Sequence, residues 1–149
     1  MNNINLEQMF KYEGSEFSFK FLRKEEGNGI VPPLLFFEIL NEDNFIIGSL
    51  RVFLFRKEYT YYYGNVQPSL FLKNCCGTKI IDIYRAILEL CYSIDIEELQ
   101  LSCDENNKQL TGIYDCIGAK YVATSSVPNK FTGYGTKLIR NKIYVKTLK

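Results

Sequence analysis

The chain contains no histidine, and this absence decides which side chains are available for chemistry. Ser-His-Asp and Cys-His catalysis and histidine-based metal sites are excluded. Proton transfer must therefore use Glu, Asp, Tyr, Lys, Cys, water or the substrate. Several such residues stand together in Ser102–Asn107, which reads Ser-Cys-Asp-Glu-Asn-Asn, and Tyr114 follows Asn107 by seven positions. The elements around this segment decide how these residues are placed.

A strand and a helix are predicted on the two sides of this motif. Glu97–Cys103 is a short apolar strand, Lys108–Ile117 is a helix, and Gly118 lies where that helix should end. The strongest helix signal covers Lys79–Ser93, whose apolar residues recur at helical spacing. Strand character is found over Glu16–Arg23, Leu34–Leu40, Phe45–Arg56, Tyr59–Tyr63, Asn65–Leu72, Tyr121–Val127 and Lys137–Lys146. This order of elements predicts an α/β layered domain with a mixed sheet.

Three other segments carry local signals. Asn5–Tyr12 is predicted to form a short helix. Lys24–Pro33 is a charged connection whose two prolines forbid a long helix. Pro68 lies inside an extended segment, where it marks a bulge or an interruption of the hydrogen-bond ladder.

Composition limits the class of protein. With 149 residues and 46% apolar content, the chain suits one domain, residues 1–149. A net charge of +1 gives no reason to expect a nucleic-acid or membrane surface. No segment has the length of a membrane span or the pattern of a signal peptide. The five cysteines are odd in number and two are adjacent, which favours a reducing cytoplasm.

The motif resembles the coenzyme-A-binding unit of the GNAT (Gcn5-related) N-acetyltransferases. Ser102–Asn107 is similar to a Thr-Cys-Asp-x-x-Asn signature of one GNAT subgroup, and Tyr63–Val66 to its Tyr-Gly-(Asn/His)-Ile turn. The resemblance covers roughly Gly48–Val127. It implies a GNAT-like sheet, mixed but mostly antiparallel, flanked by helices.

The resemblance also implies an activity, which is transfer of an acetyl group from acetyl-CoA to an amine of a small molecule or peptide, without a metal. Tyr114 would be the general acid that protonates the leaving thiolate. A backbone amide near Phe71 or Leu72 would polarise the thioester carbonyl. The implied cofactor-binding residues are Phe71, Leu72, Lys73, Asn74, Cys75, Cys76, Gly77, Thr78, Lys79 and Asn107.

The chain departs from the family in two places. The family's phosphate loop reads Arg/Gln-x-x-Gly-x-Gly/Ala, whereas residues 75–80 read Cys-Cys-Gly-Thr-Lys-Ile, and a register beginning at Asn74 fits no better. Lys73 or Lys79 can supply the missing positive charge, as a point charge rather than a fork. The family also has two helices between its first two strands, and Lys24–Pro33 is too short for them.

Several alternatives stay open at this level. The chain can be a catalytically silent GNAT-like domain that serves binding or oligomerisation, and a homodimer is compatible with the sequence. Asn107 can act only as a helix cap, and Tyr114 only as a core aromatic residue. A zinc site made by Cys75, Cys76, Cys103 and Cys116 is disfavoured, because the C-x-x-C spacing is missing.

Overall fold

The computed structural model describes residues 4–28, 30–57, 61–70, 80–128 and 138–149. These residues form strands and helices that make up one sheet and a helical layer. In chain order the elements are β1 (Met9–Lys11), β2 (Ser18–Glu25), β3 (Leu34–Leu40), β4 (Ile46–Lys57), β5 (Tyr61–Leu70), α1 (Ile80–Ser93), β6 (Ile96–Asp104), α2 (Lys108–Cys116), β7 (Lys120–Pro128) and β8 (Leu138–Thr147).

The sheet has the strand order β1-β2-β3-β4-β5-β6-β8-β7. Its first five strands pair with their neighbours in sequence, and all of these pairs are antiparallel. The pair β5–β6 is parallel, and α1 is the crossover that connects these two strands. β8 lies between β6 and β7 and is antiparallel to both. The predicted mixed, mostly antiparallel sheet flanked by helices is confirmed.

Both helices pack on the same face of the sheet. α1 buries Ile83, Ala86, Ile87 and Leu90 against alternate residues of the strands, such as Phe37 on β3. α2 joins this layer through Tyr114, whose ring meets Tyr84 of α1 and Tyr144 of β8, with centroid distances of 5.6 and 5.2 Å. In the middle of β2 and β3, buried residues alternate with half-buried ones, which follows from this one-sided cover.

The predicted helix at Asn5–Tyr12 is wrong, because this segment forms a turn followed by β1. Glu7 has a φ of 61°, in the left-handed region that a right-handed helix excludes. The Gln8 side chain accepts a hydrogen bond from the Asn5 N–H, which closes the turn. Met9–Lys11 then extends the sheet by pairing with β2.

The connection between β2 and β3 covers residues 26–33, and its described residues contain no helix. In this described part of the chain the N-terminal helical region is therefore shortened, as expected from the sequence, to a connection without a helix. None of the described helices has the length and apolar character needed to cross a membrane.

Candidate active site

The parallel strands β5 and β6 pair for only part of their length. Their register runs from Tyr62 opposite Ile96 to Asn65 opposite Gln100, and no further pair follows. β5 nevertheless continues to Leu70 on its other partner β4, and β6 continues to Asp104 on β8. The ladder is thus open beyond Asn65 and Gln100, and we call this opening the β5–β6 gap.

On the β6 side, the peptide groups that face the gap follow from the alternation of the backbone. The Glu97 carbonyl accepts from the Leu148 N–H at 2.7 Å, and the Glu105 N–H donates to the Arg140 carbonyl at 2.9 Å. The peptide N–H and C=O groups of odd-numbered β6 residues therefore point toward β8. Those of even-numbered residues point toward β5. Ser102 therefore points its N–H and C=O into the gap, two residues past Gln100, the last residue of β6 that pairs with β5.

On the β5 side, the same reasoning starts from β4. The Leu54 N–H donates to Pro33 at 2.9 Å on the β3 side, and Leu54 lies opposite Gly64. Gly64 therefore turns its peptide groups away from β4. The β5 residues that face β6 or the gap are Gly64, Val66, Pro68 and Leu70. Proline has no N–H, so Pro68 offers only a carbonyl to the gap.

Pro68 lies inside β5 without making a bulge. It lies opposite Leu50, and the β4–β5 register shows no shift along Tyr61–Leu70. The missing N–H therefore falls on the gap side, where proline is tolerated as it is at a sheet edge. The predicted bulge is not present, the β4–β5 ladder is not interrupted, and the β5–β6 pairing ends three residues before Pro68.

Asn107 is the N-cap of α2, immediately beyond the end of β6. Its Oδ1 accepts from the Leu110 N–H at 3.1 Å, so the capping role expected from the sequence is present. The turn before it is closed by Asp104, which accepts from Asn106 at 2.8 Å and from the Asn107 N–H at 2.9 Å. The side chain of Asn107 is exposed, so a cofactor contact by its Nδ2 stays a prediction.

Tyr114 is buried, with 2% of its surface exposed, and its hydroxyl donates to the Ser102 carbonyl at 3.0 Å. The α2 helix that carries it ends as predicted, because Gly118 adopts a φ of 82° and the Ala119 N–H reaches the Tyr114 carbonyl at 3.0 Å. The candidate acid therefore lies at the gap, in contact with a peptide group that faces it.

A second tyrosine packs against Tyr114. The rings of Tyr84 and Tyr114 meet edge-on, with a centroid distance of 5.6 Å. Since a carbonyl can only accept, the single proton of the Tyr114 hydroxyl goes to Ser102. Burial is the main cause that raises the pKa of Tyr114, and the neighbouring Tyr84 raises it further. Tyr114 is therefore fully protonated at neutral pH, as an acid must be. Tyr84 was missed by the sequence reasoning, because helical spacing marks it only as a core residue.

The predicted cofactor-binding residues 71–79 lie outside the described residues. This applies to Phe71, Leu72, Lys73, Asn74, Cys75, Cys76, Gly77, Thr78 and Lys79, whose roles stay predictions. The structure describes the two ends of this segment, which are Leu70 at the end of β5 and Ile80 at the start of α1. Leu70 was not predicted from the sequence as a site residue. Peptide groups of alternate β5 residues face the gap, and Pro68 has no N–H, so the next N–H on this side after Pro68 is that of Leu70.

A cavity of about 360 Å³ lies elsewhere, between the β1–β2 connection and α1. Its charged lining includes Glu13, Glu16, Asp82 and Glu89, and Arg85, which pairs with Asp82 at 3.5 Å. These α1 residues stand on the opposite side of the helix from Tyr84. The cavity is therefore not part of the candidate active site. No group of His, Cys, Asp or Glu within the described ranges is placed to hold a metal ion.

Solved structures of similar overall geometry identify the fold. A chimera of the spermidine N-acetyltransferase from Vibrio cholerae and hSSAT matches 77% of this chain, with a TM-score of 0.63 and 13% identity. A GNAT-family acetyltransferase from Streptococcus pneumoniae matches 78%, with a TM-score of 0.61 and 11% identity. This chain has the GNAT fold. The microcin C7 self-immunity acetyltransferase, solved with acetyl-CoA and AMP, shares the GNAT fold at a TM-score of 0.59 and 13% identity over 76% of the chain.

The GNAT-fold chain is shorter than these structures. It spans 66%, 67% and 61% of their respective lengths, and 64% of an acetyltransferase-like structure from Acinetobacter baylyi. No protein-family model matches the sequence. No curated protein matches it either.

Proposed function

We propose that this chain is an N-acetyltransferase that transfers an acetyl group from acetyl-CoA to an amine. The observation that carries the proposal is the β5–β6 gap, where two parallel strands separate and expose peptide groups on both sides. The predicted phosphate loop follows β5, and the capped N-terminus of α2 follows β6. A peptide-like pantetheine arm fits the gap, and a pyrophosphate fits the N-terminus of a helix.

The binding residues are proposed on the same layout. Residues 71–79 with the start of α1 would hold the pyrophosphate, and Asn107 would donate from its side-chain amide. Val66 and Ser102 would exchange hydrogen bonds with the pantetheine arm through the peptide groups that face the gap. The microcin C7 self-immunity acetyltransferase was solved with acetyl-CoA, which supports the choice of cosubstrate.

The proposed chemistry is direct attack of the amine on the thioester. The new C–N bond forms as the C–S bond breaks, the amine loses a proton, and the coenzyme A thiolate takes up one. The N–H of Leu70, Phe71 or Leu72 would polarise the carbonyl. Tyr114 would break its hydrogen bond to the Ser102 carbonyl and give its proton to the thiolate. Water would take up the proton that the amine loses and would return one to Tyr114.

The acceptor is proposed at the level of its class, an amine on a small molecule or a peptide. The spermidine N-acetyltransferase chimera, which shares the fold, carries such an activity in its name. We also keep the predictions of a cytoplasmic location, based on cysteine usage, and of a homodimer.

Binding of acetyl-CoA is expected to raise the melting temperature. A ligand at 100 times its Kd stabilises the native state by about 2.7 kcal/mol, which corresponds to roughly 5–10 °C for a chain of this length. Differential scanning fluorimetry with acetyl-CoA up to millimolar concentration measures the shift, and calorimetric titration gives the Kd. ATP, which carries phosphates without a pantetheine arm, is the control ligand. The absence of both shift and heat would remove the proposed function.

Turnover is tested separately, by incubating acetyl-CoA with spermidine, lysine and amino-terminal peptides. The products should be followed by chromatography, since an exposed thiol of the chain, such as that of Cys116, would also react with a thiol reagent.

Asn107→Asp separates capping from cofactor binding. Asp caps a helix as well as Asn does, so the melting temperature should stay within about 1 °C. The variant loses the side-chain N–H donors and gains a negative charge beside the cofactor phosphates. We expect the Kd for acetyl-CoA to rise by about tenfold, the effect of one charge-assisted hydrogen bond. An unchanged Kd would restrict Asn107 to its capping role.

The second candidate is a catalytically silent GNAT-fold domain that acts in binding or oligomerisation. Two observations favour it. The Tyr114 proton is already used by a backbone carbonyl, and the described residues between β2 and β3 contain no acceptor-side helices. A chain that binds acetyl-CoA and turns over no amine would favour this candidate.

A further inference from the structure

We infer that Pro68 and Tyr114 act together to keep β5 and β6 apart, with the Tyr114 hydroxyl replacing the backbone donor that Pro68 lacks. The inference concerns the construction of the gap and holds whether or not the chain is an enzyme. Its link to cofactor affinity rests on the proposed function.

The register of the paired part shows which donor is missing. Asn65 lies opposite Gln100, so a continued parallel ladder would place Pro68 opposite Cys103. In a parallel pair, a residue donates to the carbonyl that precedes its opposite residue. The donor for the Ser102 carbonyl would therefore be the N–H of residue 68, and a proline at that position has none.

Tyr114 satisfies the carbonyl that Pro68 leaves open. Its hydroxyl donates to that same Ser102 carbonyl at 3.0 Å, from the helical face of the sheet. The tyrosine is held in place by Tyr84 and Tyr144, whose rings pack against it edge-on. An unpaired peptide carbonyl is costly, so the hydroxyl stabilises the open form in which β6 has no β5 partner at this position.

This pairing favours the open form over a closed ladder. Pro68 removes one of the hydrogen bonds that closing the ladder would form, and Tyr114 satisfies the carbonyl that would otherwise be unpaired. Both Ser102 N–H and Val66 C=O then remain available to another partner. The two residues are therefore positioning residues for whatever occupies the gap.

A double-mutant cycle tests the inference in the apo protein. Tyr114→Phe should lower the melting temperature by about 2–6 °C, because the carbonyl loses its donor. Pro68→Ala restores an N–H at position 68, so the same Tyr114→Phe change made in that background should cost less than half as much. Amide hydrogen exchange at position 68 should then be at least about tenfold slower in the double variant than in Pro68→Ala alone.

A second readout is the affinity for acetyl-CoA. Closing the ladder in the double variant competes with the ligand, so the Kd should rise by about 5- to 30-fold, the equivalent of one or two backbone hydrogen bonds. Suppose that the Kd for acetyl-CoA does not change, while Tyr114→Phe still costs less in the Pro68→Ala background. This result would count against the proposed function, and the inference about the gap would stand.

Pro33→Ala is the matched control. Pro33 precedes β3, and its carbonyl accepts from Leu54, far from Tyr114 in the sheet order. Its effect on the melting temperature should be equal with and without the Tyr114 hydroxyl. Equal costs of Tyr114→Phe in the Pro68 and Pro68→Ala backgrounds would overturn the inference. If Tyr114→Phe alone does not fold, folding of the double variant would support it, and failure of both to fold would contradict it.

Discussion

Tyr114→Phe is expected to slow acetyl transfer by about 10²- to 10⁴-fold, the usual contribution of a positioned general acid. The change keeps the ring, and with it the contacts to Tyr84 and Tyr144. It removes only the proton that would be given to the leaving thiolate. The rate loss should appear in kcat and not in the Kd for acetyl-CoA, and steady-state kinetics with calorimetric titration separates the two.

Tyr144→Phe is the control for this experiment. Tyr144 is also buried and packs against Tyr114, but its hydroxyl has no role in the proposed chemistry. The control variant should therefore stay within a few-fold of the original rate. A Tyr114→Phe variant of equal activity would show that the thiolate is protonated by water, and that the hydroxyl has only the structural role of holding Ser102.

Phe37→Ala should destabilise the fold by about 3–5 kcal/mol, the range for removing a buried phenyl ring. Phe37 is 1% exposed, and its ring packs against Phe21 and Phe10 with centroid distances of 5.5 and 6.0 Å. The loss is a large share of the stability of an ordinary domain, about 5–15 kcal/mol. Urea unfolding followed by circular dichroism measures it.

Phe45→Ala is the matched control, since Phe45 lies in the β3–β4 turn and is 65% exposed. It should change the free energy of unfolding by no more than about 0.5 kcal/mol. Similar losses for the two variants would mean that Phe37 is not part of the core in solution.

The fold could be predicted from the sequence where hydrophobic periodicity decides the structure. Leu34–Leu40 was predicted with the bounds of β3, because its apolar run ends at a turn on one side and at prolines on the other. The α1 prediction covers the whole of Ile80–Ser93 and ends at the same residue as the helix. β1 could not be predicted, since its three residues form a strand only because the edge of β2 is available to them. Propensity within the segment favoured a helix, and tertiary pairing decided otherwise.

The candidate site was predictable only in part. The capping role of Asn107 is local, so residue type and position revealed it. The partner of Tyr114 was not predictable, because the hydroxyl reaches Ser102 across twelve positions of sequence. Pro68 was predicted to mark a bulge or an interruption, but the donor that replaces its N–H lies on another element. Such a replacement depends on the register of two strands, which a single sequence does not contain.

The position of β8 between β6 and β7 has a consequence for the order of synthesis. Each strand from β2 to β5 pairs with the strand made just before it, so this half of the sheet can assemble as the chain emerges. β7 has β8 as its neighbour in the described sheet, and β6 needs β8 to cover its second side. Asn107 and Tyr114, which belong to the cap and body of α2, are therefore synthesised before β6 can pair with Leu138–Thr147. The candidate active site is among the last parts of the molecule to assemble, and the edges of β6 and β7 stay exposed until then.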